Sequence, residues 1–408
     1  MTLWSMAARN LARNRRRSLL TGGVVVFGFA AFALAGGFMA QTLESLREGT
    51  IRSGVGHLQL ATPEAFEGPS EESLEHGLAD ARKIEASVRR DPDVVEVLPR
   101  IDFVGLVTSG GRSVPFVGVG LDPAAEARAM DPPKNVTAGR WLASEGEEGV
   151  VLGSGLARTL AVGPGGGVTL LATTGDGTLN AVDATVVGVT EVPFKELDDR
   201  FLATTVGLAD RLLAAEGEVS KLVVTLRGSA DPAAVRARLV SGLGREGTTL
   251  AGRTWEDLAA FYHQVRTLYL GIFGFMGIVL VAVVLLATAN TTLMSVNERI
   301  REIGTLRALG TRSSAIRRMF LLEGALLALA GCAAGALLSL IIREALNHSG
   351  ILLPPPPGAA RGSLLHVKLY ATAYLLGALS MTATLLLASY FPARRASRIP
   401  IVDALTHV

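Results

Sequence analysis

The segment Asn297–Gly310 carries the residues best suited to specific contacts with another surface. Its sequence, NERIREIGTLRALG, places four charged residues in the first turns: Glu298, Arg299, Arg301 and Glu302. Apolar residues recur at every third position: Ile300, Ile303, Leu306 and Leu309. Such side chains can form ion pairs and apolar contacts with a docked partner. Because a spacing of three drifts around a helix of 3.6 residues per turn, two interpretations stay open: a docking element, and a solvated connector stabilised by local ion pairs.

The rest of the chain offers no pattern that indicates catalysis. It lacks the G-x-x-x-x-G-K-S/T sequence of an ATP-binding P-loop, and it lacks H-E-x-x-H and G-x-S-x-G. The glycine-rich Val162–Leu170 has no lysine and leads into a predicted strand, which favours a turn. The six histidines are scattered, without a pair at metal-ligand spacing. We therefore expect no catalytic residue, no metal ligand and no cofactor in this chain.

Glu323 is an ionisable residue next to a long apolar run. An ionisable group in lipid is costly, which makes it a candidate functional residue. Its position near the start of the run, after Arg317 and Arg318, equally allows snorkelling or pairing with an arginine. The sequence leaves both interpretations open.

Four charge-free runs of the chain indicate helices that cross a membrane, and the residues described above lie at the ends of these runs. Each is long enough to cross a bilayer, which takes about 20 apolar residues. The chain is 49% hydrophobic and only 19% charged, too apolar for an ordinary soluble protein of 408 residues. The first run is longer than the apolar core of a signal peptide, so we expect an uncleaved anchor. The runs are Ser18–Leu43, Thr267–Asn297, Gly324–Ile342 and Leu369–Ala393.

Arginine is concentrated in three segments that flank these runs. Residues 1–17, 298–318 and 394–408 together hold fourteen arginines against three acidic residues, although the whole chain has a net charge of only +2. By the positive-inside rule these segments are cytoplasmic. We therefore predict a multi-pass protein of the inner (cytoplasmic) membrane with both termini in the cytoplasm.

The predicted fold is an α-helical membrane protein with four transmembrane helices in a 1+3 arrangement. A large α+β extracytoplasmic domain separates the first two helices. The predicted boundaries are 1–17 for an interfacial helix, 18–43, 267–290, 319–342 and 369–391 for the spans, 44–266 for the large domain, 291–318 for the cytoplasmic region after the second span, 343–368 for a short outer loop and 392–408 for the tail.

Both ends of the large domain show a β-α-β pattern, whereas the middle, about 112–215, is glycine-rich and predicted to be mostly β. Thr173–Asn180 separates two of its β runs, with Asp176 and Gly177 as a turn, and thus predicts a hairpin. Helical character continues past the first span and before the second, which predicts stalks. The strands and helices predicted at the two ends are His57–Ala61, Leu78–Arg89, Val94–Leu98, Phe103–Val107, Lys221–Leu226 and a helix from Asp231 to about Leu243.

Small residues recur in two of the spans. Such residues let helix backbones approach closely. Contacts within the chain and a seam between two copies are both consistent with the pattern. The residues are Gly271, Gly274 and Gly277 in the second span and Gly324, Ala328, Gly331 and Gly335 in the third.

The order of one span, a large domain and three spans, with NERIREIGTLRALG after the second span, resembles the FtsX-like permeases of ABC transporters. That family includes the MacB efflux pumps and the lipoprotein-releasing LolC/LolE permeases. The segments RNLARNRRRSLLT, FLLEGALLALAGCAAGALL and FPARRASRIPIVDAL match the family pattern as well. The resemblance therefore covers essentially the whole chain.

The resemblance implies a permease that pairs with a second copy or a paralogue and with two copies of a separate ATPase subunit, which would bind ATP and Mg. It also implies porter-like parts at about 53–111 and 216–255 around the β-rich insert. Asn297–Gly310 would be the coupling helix that docks on the ATPase. The implied contact residues are Asn297, Glu298, Arg299, Glu302, Ile303, Leu306 and Arg307.

Within the family, GHLQLATPEAF and RFLATTVGLADRLL are more similar to the lipoprotein-releasing branch. This similarity implies a lipoprotein cargo, membrane lipid as a partner and no role for nucleic acid. A hairpin with Thr174, Asp176, Gly177 and Leu179 would recruit a periplasmic carrier, and a plain β-turn is the alternative. Two other functions remain open: MacB-like efflux of amphiphiles or peptides with a periplasmic adaptor, and FtsX-like regulation of a cell-wall hydrolase.

Overall fold

A computed structural model describes residues 9–10, 13, 15–67, 74–192, 195–353, 364–400 and 404. Most of the predicted interfacial helix, 1–17, and the end of the predicted tail, 392–408, lie outside these residues. The chain divides into two compact units. We call them the helical unit (1–44, 264–352 and 364–408) and the αβ unit (45–263 and 353–363).

The helices of the described residues are α1 Arg15–Thr50, α2 Pro63–Glu67, α3 Ala81–Val88, α4 Pro123–Ala129, α5 Ser154–Leu160, α6 Lys195–Asp198, α7 Val206–Leu213, α8 Pro232–Arg245, α9 Trp255–Leu258, α10 Ala260–Glu298, α11 Ile300–Ala308, α12 Ser313–His348 and α13 Ala371–Ala396. The strands are β1 Leu58–Ala61, β2 Val94–Ser109, β3 Arg112–Leu121, β4 Val136–Gly139, β5 Gly149–Gly153, β6 Gly167–Thr173, β7 Leu179–Thr190, β8 Phe201–Thr205, β9 Lys221–Leu226 and β10 Ala251–Thr254. A π-helical turn, Ile51–Val55, follows α1, and a 3-10 turn, Pro132–Asn135, follows α4.

The strands of the αβ unit form one mixed sheet. Their order is β10-β1-β9-β2-β3-β8-β5-β7-β4, and β6 pairs with β2 and β7. The pairs β3–β8 and β5–β7 are parallel, and the remaining pairs are antiparallel. Because β1 lies between β10 and β9, strands from the two ends of the unit are interleaved. The sheet is also continuous across the predicted insert boundary near residue 111, where β2 and β3 form a hairpin.

Strand β2 is a single strand of 16 residues, whereas the sequence indicates two short strands, Val94–Leu98 and Phe103–Val107. Pro99 lies between those two segments and pairs with Leu222 of β9. Pairing of β2 with β3 begins only at Arg100. A proline, which has no N–H to donate, is tolerated where one side of a strand is unpaired. The strand therefore runs through the proline.

The middle of the αβ unit contains more helix than the sequence indicates. Helices α4, α5 and α7 alternate there with strands β3 to β8. The Thr205 side chain caps α7 by accepting a hydrogen bond from the Leu208 N–H at 3.2 Å. Asp231, the predicted cap of α8, likewise accepts one from the Ala233 N–H at 3.0 Å.

An ion-pair cluster joins the two ends of the αβ unit. Arg238 of α8 contacts Asp91 at 3.0 Å and Asp93 at 2.6 Å, both in the turn between α3 and β2. The hydrogen bonds from Arg238 lower the pKa of Asp91 below its ordinary value. Asp91 therefore stays ionised and paired well below neutral pH.

Helices α1, α10, α12 and α13 of the helical unit are long and apolar enough to cross a membrane. The small residues of α12 make close contacts within the chain: a Cβ on Gly331 would lie 2.7 Å from Val25 of α1, and one on Gly324 would lie 2.7 Å from Ser389 of α13. The small residues of α10 differ, because a Cβ on Gly271 or Gly274 would have no described atom within 4 Å. The small residues of the third span thus pack against other helices of the same chain. Gly271 and Gly274 of the second span make no such close contact.

Candidate functional site

The predicted docking segment forms a corner between two membrane helices. Helix α10 continues through Glu298, and Arg299 leaves the helical conformation with φ −111° and ψ 14°. Helix α11 follows, and Gly310 ends it with a φ of +90°. The N–H of Gly310 donates to the Arg307 carbonyl and that of Thr311 donates to the Leu306 carbonyl, both at 3.0 Å. This Schellman arrangement satisfies the carbonyls at the helix end and fixes where α11 stops. We call α11 with its flanking residues Asn297–Arg299 the corner.

The inner face of the corner is packed into the helical unit. Ile303 is only 2% exposed and belongs to a buried cluster with Val296 of α10, Phe320 of α12 and Ala396 of α13. Ile300 is buried as well. Burying an aliphatic side chain of this size contributes about 1.5–3 kcal/mol. The corner is therefore a fixed part of the helix bundle.

Arg299 forms a buried ion pair with Glu323. Its Nη1 lies 3.2 Å from Glu323 Oε1, and the two side chains are 5% and 13% exposed. The Asn10 Nδ2 donates a second hydrogen bond to Glu323 Oε1 at 2.7 Å, and Arg299 Nη2 donates to the Asn10 carbonyl at 3.4 Å. Glu323 is thus paired with an arginine in the structure. The partner is Arg299 from the corner.

The outer face of the corner is polar and accessible. Asn297, Glu298 and Glu302 are exposed, and Leu309 is 79% exposed. Acidic residues here are paired with the chain's own N-terminal arginines: Glu298 with Arg17 and Glu302 with Arg13. The face thus combines charged side chains with an exposed leucine.

The predicted contact residues fall into three groups, the first of which is the exposed Asn297, Glu298 and Glu302. Arg299 and Ile303 are buried against the chain's own helices and offer no surface to a partner in this conformation. Leu306 and Arg307 are half-buried, and Arg307 donates a hydrogen bond to the Ile399 carbonyl beyond α13. Period-three spacing could not separate these groups, because it assigns no single face to the helix.

The predicted hairpin is present in the αβ unit. Strands β6 and β7 pair from Gly167↔Thr185 to Thr173↔Leu179. Thr174 is buried, and its N–H donates to the Thr178 carbonyl at 2.8 Å. At the tip, Asp176 is exposed, Gly177 has a φ of +78° and Leu179 is 72% exposed. The tip therefore presents a charge and an apolar side chain, although its local bonds are those of an ordinary turn.

A second buried ion pair, which sequence reasoning missed, lies where the first stalk meets the sheet. Arg100 of β2 contacts Glu126 of α4 at 2.5 Å, and the side chains are 10% and 3% exposed. Arg100 Nη1 also donates to the carbonyl of Gly54, in the π-helical turn after α1, at 2.8 Å. The only sequence signal is an arginine within a β-rich run. No spacing connects it to Glu126 or Gly54.

The two stalks contact each other through Ile51, which lies in the same π-helical turn as Gly54. Ile51, Trp255 and Ala259 form a buried cluster. The Trp255 ring lies edge-on to Tyr262 with centroids 5.0 Å apart, and the Arg47 guanidinium lies 5.7 Å from the Trp255 ring centre. The two connections of the αβ unit are thereby held together at their base.

An apolar cleft of about 790 Å³ lies in the helical unit. It is bordered by α1, α10 and α13, with side chains that include Phe32, Met39, Phe273, Ile278 and Leu376. A cleft of this character takes apolar chains in preference to charged solutes.

Two family models match the chain. The MacB-like periplasmic core domain matches residues 18–241, which is more than half of the chain. The FtsX-like permease C-terminal model matches residues 274–401. Together they cover most of the αβ unit, the corner and most of the last three spans, and residues 242–273 lie between the two matches.

Curated proteins show the same similarity. The lipoprotein-releasing system transmembrane protein LolE of Haemophilus influenzae is 24% identical over 336 residues, 80% of each chain. The ABC transporter permease YtrF of Bacillus subtilis is 30% identical over 134 residues, 32% of this chain and 31% of YtrF. The macrolide export ATP-binding/permease protein MacB of Shigella boydii is 40% identical over 116 residues, 28% of this chain and 16% of MacB.

Two solved structures were also found. The periplasmic region of MacB from Actinobacillus actinomycetemcomitans aligns with 52% of this chain and 95% of its own, at 13% identity and a TM-score of 0.36. The extracellular domain of YknZ, a transporter of Gram-positive bacteria, aligns with 48% of this chain and 98% of its own, at 14% identity and the same TM-score.

Proposed function

Because the chain belongs to the family of ABC transporter permeases with MacB-like and FtsX-like domains, we propose that it is the membrane subunit of a transporter that releases or exports lipoproteins from the cytoplasmic membrane. The alignment with a lipoprotein-releasing protein over most of both chains carries this proposal. ATP and Mg would be bound by a separate ATPase subunit, present in two copies. The permease itself would lie in the inner membrane, with both of its termini in the cytoplasm and its αβ unit in the periplasm.

The corner is the proposed docking site of the ATPase subunit. The exposed Glu302 and Leu309 support this assignment, as does the half-buried Leu306. The buried Ile303 and Arg299 support a second requirement, since a docking element transmits force only if it is anchored to the helices it must move. Arg299 and Ile303 would then anchor the corner rather than contact the ATPase.

Movement imposed on the corner would travel along the first two spans. Helix α10 is continuous from Ala260 to Glu298, and α1 from Arg15 to Thr50. Continuous helices transmit displacement better than flexible loops do. At their far ends, the contact of Ile51 with Trp255 and the bond from Arg100 to Gly54 would pass that displacement to the sheet.

The cargo and the remaining partners are proposed from the surfaces left open. The apolar cleft bordered by α1, α10 and α13 supports a cargo with apolar chains, as a lipoprotein has. The exposed Gly271 of α10, which does not line this cleft, supports a second permease copy or paralogue. The hairpin tip with Asp176 and Leu179 is the proposed contact for a periplasmic carrier.

Replacing both Glu302 and Leu306 with alanine is expected to weaken the docking of the ATPase subunit at least about tenfold, because each residue contributes to the outer face of the corner. Affinity is measured by titrating the purified ATPase subunit onto the permease in detergent. The matched control is Leu340→Ala with Glu344→Ala. That pair has the same spacing at the other end of the third span, and both residues are exposed. If the control and the test variant bind alike, the corner is not the docking site.

Mass spectrometry of what copurifies in mild detergent separates the proposed function from its alternatives. An ATPase subunit with a trapped triacylated lipoprotein agrees with lipoprotein release. An adaptor and an outer-membrane channel would instead indicate efflux of amphiphiles or peptides. A cell-wall hydrolase without cargo would indicate a regulator.

A further inference from the structure

Polar residues that precede the first span form a row along one helix face. Asn10 and Arg13 have helical conformation, and Arg17 lies in the first turns of α1. The three positions are separated by three and four residues, the spacing that places side chains on the same face of a helix. We call these three residues the N-terminal strap.

The two arginines of the strap pair with the corner. Arg13 Nη2 donates to both carboxylate oxygens of Glu302 on α11, at 2.9 and 3.1 Å. The Arg17 guanidinium likewise binds both oxygens of Glu298 at the end of α10, one of them at 2.9 Å. The Arg17–Glu298 pair, with one guanidinium nitrogen on each carboxylate oxygen, is bidentate and fixes orientation as well as distance. The strap therefore holds the two helices on either side of the bend at Arg299.

The third strap residue enters the buried ion pair. Asn10 donates to Glu323 of α12 and accepts from Arg299 through its own carbonyl. A half-buried asparagine thus adds one hydrogen bond to each of two buried charged groups. The strap therefore contacts α10, α11 and α12.

Two arginines of the same segment behave differently. Arg9 and Arg16 are exposed, and neither has a partner among the residues that the structure describes. A basic segment attracted only by general charge would not distinguish Arg16 from Arg17. The contacts of the strap are therefore specific to its three positions.

The order in which the chain connects its helices indicates a role for these contacts. Helix α11 is joined covalently to α10 and α12 but not to α1. The αβ unit, however, is connected to the spans through both α1 and α10. If a movement of the corner displaced α10 but not α1, the stalk continuous with α10 would move while the stalk continuous with α1 stayed in place.

We propose that the N-terminal strap ties the corner to the base of the first span, so that a displacement of α11 drives α1 and α10 together. Asn10, Arg13 and Arg17 are then positioning residues for the transmission of ATPase movement. This inference rests on the proposed function, because it specifies how movement imposed at the corner is shared between the stalks.

A charge-swap experiment in the assembled complex tests the strap. Arg17→Glu and Glu298→Arg are each expected to lower the stimulation of ATP hydrolysis by a triacylated lipoprotein at least about fivefold, the lower end for coupling between sites. Binding of the ATPase subunit should persist in Arg17→Glu. For Glu298→Arg, which also changes the outer face of the corner, the stimulation is compared at a saturating concentration of the ATPase subunit. Arg17→Glu combined with Glu298→Arg should restore most of the stimulation, because the pair re-forms with opposite polarity. Arg16→Glu, with the same change in charge, should resemble the wild type.

The strap is overturned if Arg16→Glu lowers the stimulation as much as Arg17→Glu does, or if the double swap restores nothing. A second measurement uses the permease alone and does not depend on the ATPase. In a Cys332→Ala background, cysteines at positions 13 and 302 should be joined within one chain by a short thiol cross-linker, whereas cysteines at 16 and 302 should not. Equal cross-linking of both pairs would also overturn the strap. If the wild type binds no ATPase subunit while 13 and 302 cross-link selectively, the proposed function fails and the strap contacts stand.

Discussion

Replacing Arg299 with alanine is expected to destabilise the helical unit by about 3–5 kcal/mol, because Glu323 would remain buried without its counter-charge. The two side chains are 5% and 13% exposed, so bulk solvent screens the remaining carboxylate only weakly. Asn10 would keep its hydrogen bond to Glu323 but would lose the one from Arg299. Thermal unfolding of the permease in detergent, followed by the accessibility of Cys332 in α12, measures the effect.

Two controls accompany this variant. Arg318→Ala removes an exposed arginine of α12 and should change the stability by less than about 0.5 kcal/mol. Arg299→Met combined with Glu323→Leu removes both charges and should recover most of the lost stability, since apolar replacements of a buried pair are often neutral. If Arg299→Ala were as stable as Arg318→Ala, the buried pair would not hold the corner in place.

Replacing Glu126 with alanine is expected to cost the αβ unit a similar amount, about 3–5 kcal/mol, because it strands the guanidinium of Arg100. Arg100 also bonds the Gly54 carbonyl in the π-helical turn, so its displacement should loosen the first stalk. Hydrogen exchange of the amides in Ile51–Val55 should therefore become faster. The tryptophans at 141 and 255 give a fluorescence signal for unfolding of this unit.

Glu145→Ala, which removes an exposed carboxylate of the same unit, is the matched control. It should leave both the unfolding midpoint and the exchange of Ile51–Val55 unchanged. A Glu126→Ala protein with lower stability but normal exchange at the stalk would mean that Arg100 stabilises the sheet only. In that case the hydrogen bond from Arg100 to the Gly54 carbonyl would not couple the sheet to the first stalk.

The spans and many strands could be predicted from the sequence because they depend on local patterns. Charge-free runs and β-rich runs are visible within single windows of the chain. Phe201–Thr205 and Lys221–Leu226 have the same bounds in the prediction and in the structure. The hairpin around Gly177 also follows from a local turn signal. The two predicted β-rich runs Val94–Leu98 and Phe103–Val107 belong to one strand, β2, because whether a strand continues through Pro99 depends on which neighbours it has.

The candidate site could be predicted only in part, because its decisive contacts join distant positions. The pairing of Arg299 with Glu323 and of Arg13 with Glu302 depends on how four helices pack. No spacing in the sequence shows that Arg299 turns inwards while Glu302 stays outside. For this reason a charged residue in the docking segment could be assigned to the segment but not to a face.

The central claim is that the corner docks on a separate ATPase subunit, and site-specific photo-cross-linking tests it most directly. A photoreactive amino acid replaces Leu309, which is 79% exposed at the end of α11, or Leu179, which is 72% exposed at the hairpin tip. Each variant is assembled with the ATPase subunit and illuminated. We predict a cross-link to the ATPase from position 309 and none from position 179. An assembled complex that cross-links from position 179 but not from position 309 would contradict the account.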